Sequence, residues 1–216
     1  WARLIGVVFS IPFIIFIIQK RFKNEMIRPL LILFLLGALQ GLVGWIMVQS
    51  GLEDSELLYV SHYKLAIHFI LALGLLCYTL WFAMKLLVPT NQFTVNASLR
   101  SFTGWLIGLL TLQLIYGAFM AGLKAATAAP TWPTINGVWW PNTIFSFGGR
   151  QFTGISFLTD NPLIIHFIHR NLAYAITILL LAWTWKAFKI KGSAIFQQTK
   201  FWPFLLVLLQ VILGVL

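Results

Sequence analysis

Long apolar blocks, each broken by a short polar or basic stretch, dominate the chain. They define about six candidate spans, namely Leu4 to Ile18, Leu30 to Val48, Leu65 to Val88, Phe102 to Leu123, Leu163 to Trp185, and Phe201 to the end. The first and last are short for a hydrocarbon core about 30 Å thick. The pattern predicts an all-α, polytopic transmembrane helical bundle. Trp1 is not an initiator methionine, no cleavable signal pattern precedes it, and Leu216 stops inside an apolar run. The chain therefore reads as truncated at both ends, with six of an expected eight spans present.

Composition agrees with the pattern. Of 216 residues, 60% are hydrophobic and 9% charged, with a mean hydropathy of +0.89, which excludes an ordinary soluble domain. The formal charge of +10 invites a nucleic-acid reading, but the cations cluster by loop. Lys20, Arg21, Lys23 and Arg28 fill one loop, Lys85 and Arg100 flank a second, and Lys186, Lys189, Lys191 and Lys200 fill a third. If every apolar block crosses once, these loops share a side, which the positive-inside rule makes cytoplasmic, or matrix in a mitochondrion. Glu53, Asp54, Glu56 and Asp160 fall on the opposite side. The basic balance is thus a topology signal, and no nucleic-acid partner is expected. Cys77, the single cysteine, falls in mid-span, which removes an intrachain disulfide or a cysteine-based metal cluster.

A short motif recurs. Leu39-Gln-Gly-Leu-Val-Gly44, Leu112-Gln-Leu-Ile-Tyr-Gly117 and Leu209-Gln-Val-Ile-Leu-Gly214 share LQxxxG, each in a span running outward from the cytoplasmic face. The simplest reading is helix packing, with glycine admitting a close backbone and glutamine bonding across the interface. The outer copies are 170 positions apart, and that shift also lays the span after His169 over the span that begins at Trp1. Two parallel halves of four spans follow, divided as residues 1–124, a long outer loop 125–162, and 163–216. The outer loop carries Ala129-Pro-Thr-Trp-Pro133, Val138-Trp-Trp-Pro141 and Phe147-Gly-Gly-Arg150. That content predicts an ordered interfacial segment, either a lid over a flat apolar ligand or an aromatic belt at the headgroups.

Candidate chemistry rests on histidine. An imidazole in a membrane span is costly unless it pairs, carries protons or binds a metal, and His68 and His169 lie at similar depth near the outer ends of their spans. No carboxylate or thiolate cluster accompanies them, which disfavours hard-cation and cysteine-rich zinc sites and suits a heme iron. His166 is three residues from His169 and so on the same helix face; two such imidazoles cannot reach opposite sides of one macrocycle. His62 falls at a helix cap. Arg170, Lys64, Arg3 and Arg150, all on the outer side, could hold carboxylates such as heme propionates.

Taken together, these segments resemble the heme A synthase family, and most of all the group that includes the mitochondrial enzymes. The resemblance runs through Leu36 to Leu52, Val60-Ser-His-Tyr-Lys-Leu-Ala-Ile-His68, Gln113 to Ala125 with Thr131-Trp-Pro133, and His166-Phe-Ile-His-Arg-Asn-Leu-Ala-Tyr174. It implies an eight-helix enzyme of two four-helix halves that oxidises a methyl group of heme O to the formyl group of heme A by successive hydroxylation. His68 would ligate the substrate or product heme, His169 a b-type heme, and His166 would stand behind the ligands. The family's catalytic glutamate lies before Trp1, so no catalytic residue is assigned, and the outer-loop cysteine pair of some bacterial members is absent. Implied partners are heme O synthase, the cytochrome oxidase assembly machinery, membrane lipid and an electron acceptor, with homo-oligomerisation open. The implied location is the bacterial cytoplasmic membrane or the mitochondrial inner membrane, histidines toward the outer face. Two other readings compete. A bis-His cytochrome that only passes electrons would place hemes at both faces, and a parallel-repeat transporter would show broken helices and midplane polar groups.

Overall fold

The structure, a computed structural model, describes residues 2–52, 59–141 and 144–215, with the backbone alone at positions 2 and 3. Five segments among them are long and apolar enough to cross a membrane: Asn24–Gln49 (α2), His62–Leu87 (α3), Ala97–Gly122 (α4), Pro162–Phe188 (α6), and Ala194–Val215, which comprises Ala194–Thr199 (α7) and Trp202–Val215 (α8). The first expected span forms helix Ala2–Ile18 (α1), which is apolar but shorter. At 1.5 Å per residue it reaches roughly 26 Å, against about 39 Å for α2. Large side chains on these helices stay open, with Leu35 at 63% and Trp105 at 75% exposure. Such surfaces are untenable in water and natural in lipid, and the chain is an integral membrane protein.

Contacts divide the chain into two compact units, residues 1–87 and 88–216. In the first, α2 packs on α3 and α1 on α2. In the second, α4 packs on α6 and α6 on α8. The boundary precedes α4, whereas the sequence-based division carries the first half to residue 124 and so takes in that helix. Helix α4 groups instead with α6, joined by contacts along their length and by a bond from Trp183 Nε1 to Thr103 Oγ1 at 2.9 Å.

Capping explains where the helices begin. Asn96 accepts from the Leu99 amide at 2.9 Å to start α4, and Ser193 accepts from Phe196 at 3.2 Å to start α7. Asn161, fully buried, starts α6. Its Oδ1 accepts from the Leu163 amide at 3.0 Å, its Nδ2 donates to the Ile144 carbonyl at 2.7 Å, and Pro162 occupies the first turn. At the other end of the second unit, Thr94 Oγ1 accepts from the Ser193 amide at 3.0 Å and Lys186 Nζ donates to Ser98 Oγ. The basic turn after α6 therefore sits beside the chain entering α4.

The segment between α4 and α6 is ordered. It holds a 3-10 turn at Ala125–Ala128, a hairpin pairing Ser146–Phe147 (β1) with Arg150–Gln151 (β2), and a short helix Ile155–Thr159 (α5). Ala129, Ile135 and Leu163 form a buried cluster with Phe167 packed against it, which clamps this segment to the first turns of α6. Trp140 meets Phe167 edge-on at 5.2 Å, while Trp132 and Trp139 point outward with more than half their surface exposed.

Candidate functional site

The two intramembrane histidines expected to matter occupy matching settings, one in each unit. His68 lies six residues into α3 and His169 seven into α6, roughly 9 and 10 Å along their helices. Each faces the helix that carries an LQxxxG motif, where the glutamine and the glycine four residues later share one face.

In the first unit, Gln40 Nε2 of α2 lies 3.3 Å from His68 Nε2 and donates to the His68 carbonyl at 3.2 Å. A Cβ placed on Gly44 would stand 2.7 Å from His68 Cε1, so the ring sits close against bare backbone. In the second unit, Gln113 Nε2 of α4 lies 3.3 Å from His169 Nε2, and His169 Nδ1 lies 3.2 Å from the Gln113 carbonyl. A Cβ on Gly117 would stand 3.2 Å from His169 Cε1. The glycine lets the ring approach the backbone in both places, but only at Gly44 would a Cβ enter the volume of the ring; at Gly117 it would make a tight contact.

These contacts fix the proton. A carbonyl only accepts, so His169 Nδ1 donates to Gln113 and its Nε2 presents a lone pair. The Gln40 nitrogen already donates to a carbonyl, which identifies it as the amide NH2, so His68 Nε2 accepts as well and Nδ1 carries the proton. Both rings thus hold the neutral tautomer whose Nε2 can bind a metal. Among the described residues, Gln40 Oε1, Gln113 Oε1 and His68 Nδ1 are buried without a partner, an incomplete set of polar bonds.

The arrangement fits a heme. At His169 a neutral imidazole braced by a carbonyl on the far nitrogen is a suitable axial ligand, whereas at His68 that brace is missing among the described residues. Among the described residues no group of three or more histidine, cysteine, aspartate or glutamate side chains could hold a bare ion, in keeping with a ligand that brings most of its own donors.

His166 stands differently, although it is close in sequence. It is buried at 8% exposure, and its Nε2 accepts from the Arg170 guanidinium at 2.8 Å, a charge-assisted bond shorter than the 3.3 Å glutamine contacts at His68 and His169. Arg170 also donates to the carbonyls of Thr134 at 2.7 Å and Ala129 at 3.3 Å. The pair therefore ties α6 to the outer segment. For the other expected carboxylate-binding cations, Lys64 is half-buried one turn before His68, and Arg150 is exposed in the hairpin with its guanidinium 5.1 Å from the Phe152 ring centroid. The Arg3 side chain, like Glu53, Asp54 and Glu56, lies outside the described residues. His62 opens α3, its ring 4.1 Å from that of Tyr63.

Gln40 and Gln113 are the residues that sequence reasoning missed. Their motif reads in sequence as helix packing, with glutamine bonding across the interface, and as a repeat, but not as a contact to histidine, because the histidines they meet are 28 and 56 positions away. The third copy, Gln210 and Gly214 on α8, meets no imidazole among the described residues, and a Cβ on Gly214 would touch nothing within 4 Å.

Comparison with known proteins adds the following. A family model described as COX15-CtaA, cytochrome oxidase assembly protein, matches residues 1–216. A protein of Flavobacterium johnsoniae named heme A synthase is 34% identical over 83% of this chain and 52% of its own length. Proteins of the same name from Bradyrhizobium diazoefficiens and Wolbachia pipientis are 36% and 34% identical over 100% of this chain, each across 58% of its own length. The chain thus spans about half the length of the curated relatives it matches. No solved structure matches it.

Proposed function

The chain belongs to the COX15-CtaA family of cytochrome oxidase assembly proteins, and on that premise we propose that the protein is a heme A synthase, a membrane oxidoreductase converting heme O to heme A. The carrying observation is the repeated cradle, in which an imidazole with its Nε2 lone pair presented is held by glutamine and glycine of a neighbouring helix. In this reading His68 binds the substrate and product heme, and His169 binds a resident b-type heme. That resident group supplies electron transfer when bound.

The chain's own residues bind, orient and exclude. The Gln113 carbonyl holds the His169 ring through Nδ1–H and raises its donor strength. Gly44 and Gly117 let each ring lie against backbone, which fixes its plane. The segment between α4 and α6 is tied to the first turns of α6 by Arg170, His166 and the Leu163 cluster. Oxidising a methyl to a formyl group amounts to two hydroxylations and the loss of one water, and none of the side chains in the described sites performs that oxidation alone. The basic turns face the cytoplasm or matrix, the histidines the opposite side, and heme O synthase and the oxidase assembly machinery are the fitting neighbours.

Expression of the full-length gene in cells that make heme O, followed by heme extraction and chromatography, tests this. Heme A or its hydroxylated precursor is the expected product. Bound heme with neither product would favour an electron-transferring cytochrome instead.

A further inference from the structure

The two cradles are alike but not equal, and the difference bears on how heme comes and goes. The inference rests on the reading of His68 and His169 as heme ligands. In both units the nitrogen that would meet iron is the one facing a glutamine amide, at 3.3 Å. One lone pair cannot serve an N–H group and a metal at once. The amide must leave before the metal binds, and it returns when the metal leaves.

We propose that Gln40 and Gln113 are displaceable caps on the metal-binding nitrogens, and that their unequal anchoring makes the first unit a site of heme exchange and the second a site of retention. In the second unit, capping is a single contact, and His169 keeps its Nδ1 bond to the Gln113 carbonyl after the amide moves. The ring stays braced, and little pulls the amide back. In the first unit, Gln40 is anchored beside its target by a second bond, to the His68 carbonyl, while among the described residues His68 Nδ1 has no partner to hold the ring. A glutamine tethered next to the nitrogen competes continually for it, which favours release of a bound heme, as a site that takes one heme and gives up another requires. These are positioning residues, since in this account neither touches iron.

The test uses the full-length protein carrying Gln40→Leu or Gln113→Leu, with titration of the heme-free protein by protoheme and transfer of bound heme to apomyoglobin. Removing a neutral hydrogen bond from the competing state should tighten binding on the order of fivefold. Gln40→Leu should tighten the first unit more than Gln113→Leu tightens the second, and should slow heme transfer by a similar factor. The spectrum and midpoint potential of each loaded heme should not change, because the caps are absent from the loaded state. A merely structural role would instead weaken binding together with thermal stability. Should a leucine variant fail to fold, Gln40→Met and Gln113→Met, which keep the length and lose the donor, decide the matter. Unchanged or weaker binding in a folded variant overturns the proposal. His68→Ala and His169→Ala separate the two levels. If they bind heme like the parent, the ligand reading fails; if they lose heme while the glutamine variants do not tighten, only the caps fail.

Discussion

Replacing Gly44 by alanine probes the cradle where it is tightest. The added methyl would lie 2.7 Å from His68 Cε1 and 3.2 Å from Nδ1, whereas carbon atoms normally rest about 3.5–4.0 Å apart. The ring must therefore move by roughly 0.8 Å or more. Overpacking of this kind costs about 1–3 kcal/mol, and alanine recovers close to 1 kcal/mol of helix propensity. Net stability should fall by no more than about 2 kcal/mol, so the protein folds but presents its imidazole misaligned. In the second unit the Gly117 methyl falls only a few tenths of an ångström short of comfortable contact with His169, and the ring can yield. Heme content of the purified full-length protein, resolved by absorbance titration, should therefore show the first-unit heme depleted in Gly44→Ala and the second-unit heme largely kept in Gly117→Ala. Gly41→Ala, on the same helix with nothing within 4 Å of the new carbon, is the matched control. First-unit binding equal to the parent in Gly44→Ala would refute the close-approach argument.

Three further outcomes follow from other contacts. Asn161→Ala removes an N-cap worth about 1 kcal/mol and orphans the Ile144 carbonyl at a cost of about 1–3 kcal/mol; thermal melts should fall accordingly, with earlier cleavage between residues 129 and 160. Arg170→Leu releases the Thr134 and Ala129 carbonyls, and limited proteolysis should show the same segment opening while α4 and α6 remain protected. Trp183→Phe loses one bond to Thr103, and a cost of about 0.6 kcal/mol is expected for a hydrogen bond between membrane helices; a loss above roughly 2 kcal/mol by equilibrium unfolding would show that this contact carries more than a typical bond.

Much of the architecture was legible because lipid imposes a simple rule, that backbone groups be satisfied within each apolar helix. The span Leu163 to Trp185 and the helix Pro162–Phe188 differ only at their ends, where Asn161 and Lys189 set the caps. The histidines stood out for the same reason, as polar groups where polarity is costly. The division into units was less legible. A register of 170 positions pairs α2 with α8, and contacts show in addition that α2 packs on α3 and α4 on α6. Gln40 and Gln113 stayed hidden because their meaning lies in long-range contacts; periodicity can place a glutamine and a glycine on one face, but not name the imidazole opposite. The outer segment was read as ordered from its proline, glycine and tryptophan content, while the Arg170 and His166 bonds that fasten it depend on helix phase and loop path together.

The central claim is that His68 and His169, and not the adjacent His166, present their Nε2 lone pairs to heme iron. Pyridine-hemochrome and absorbance spectra of the full-length protein with His68→Ala, His169→Ala and His166→Ala test it directly. The account predicts that His68→Ala and His169→Ala each lose a different heme, and that His166→Ala keeps both while its outer segment becomes easier to cleave. Full heme content in His169→Ala, or loss of heme in His166→Ala alone, would contradict it.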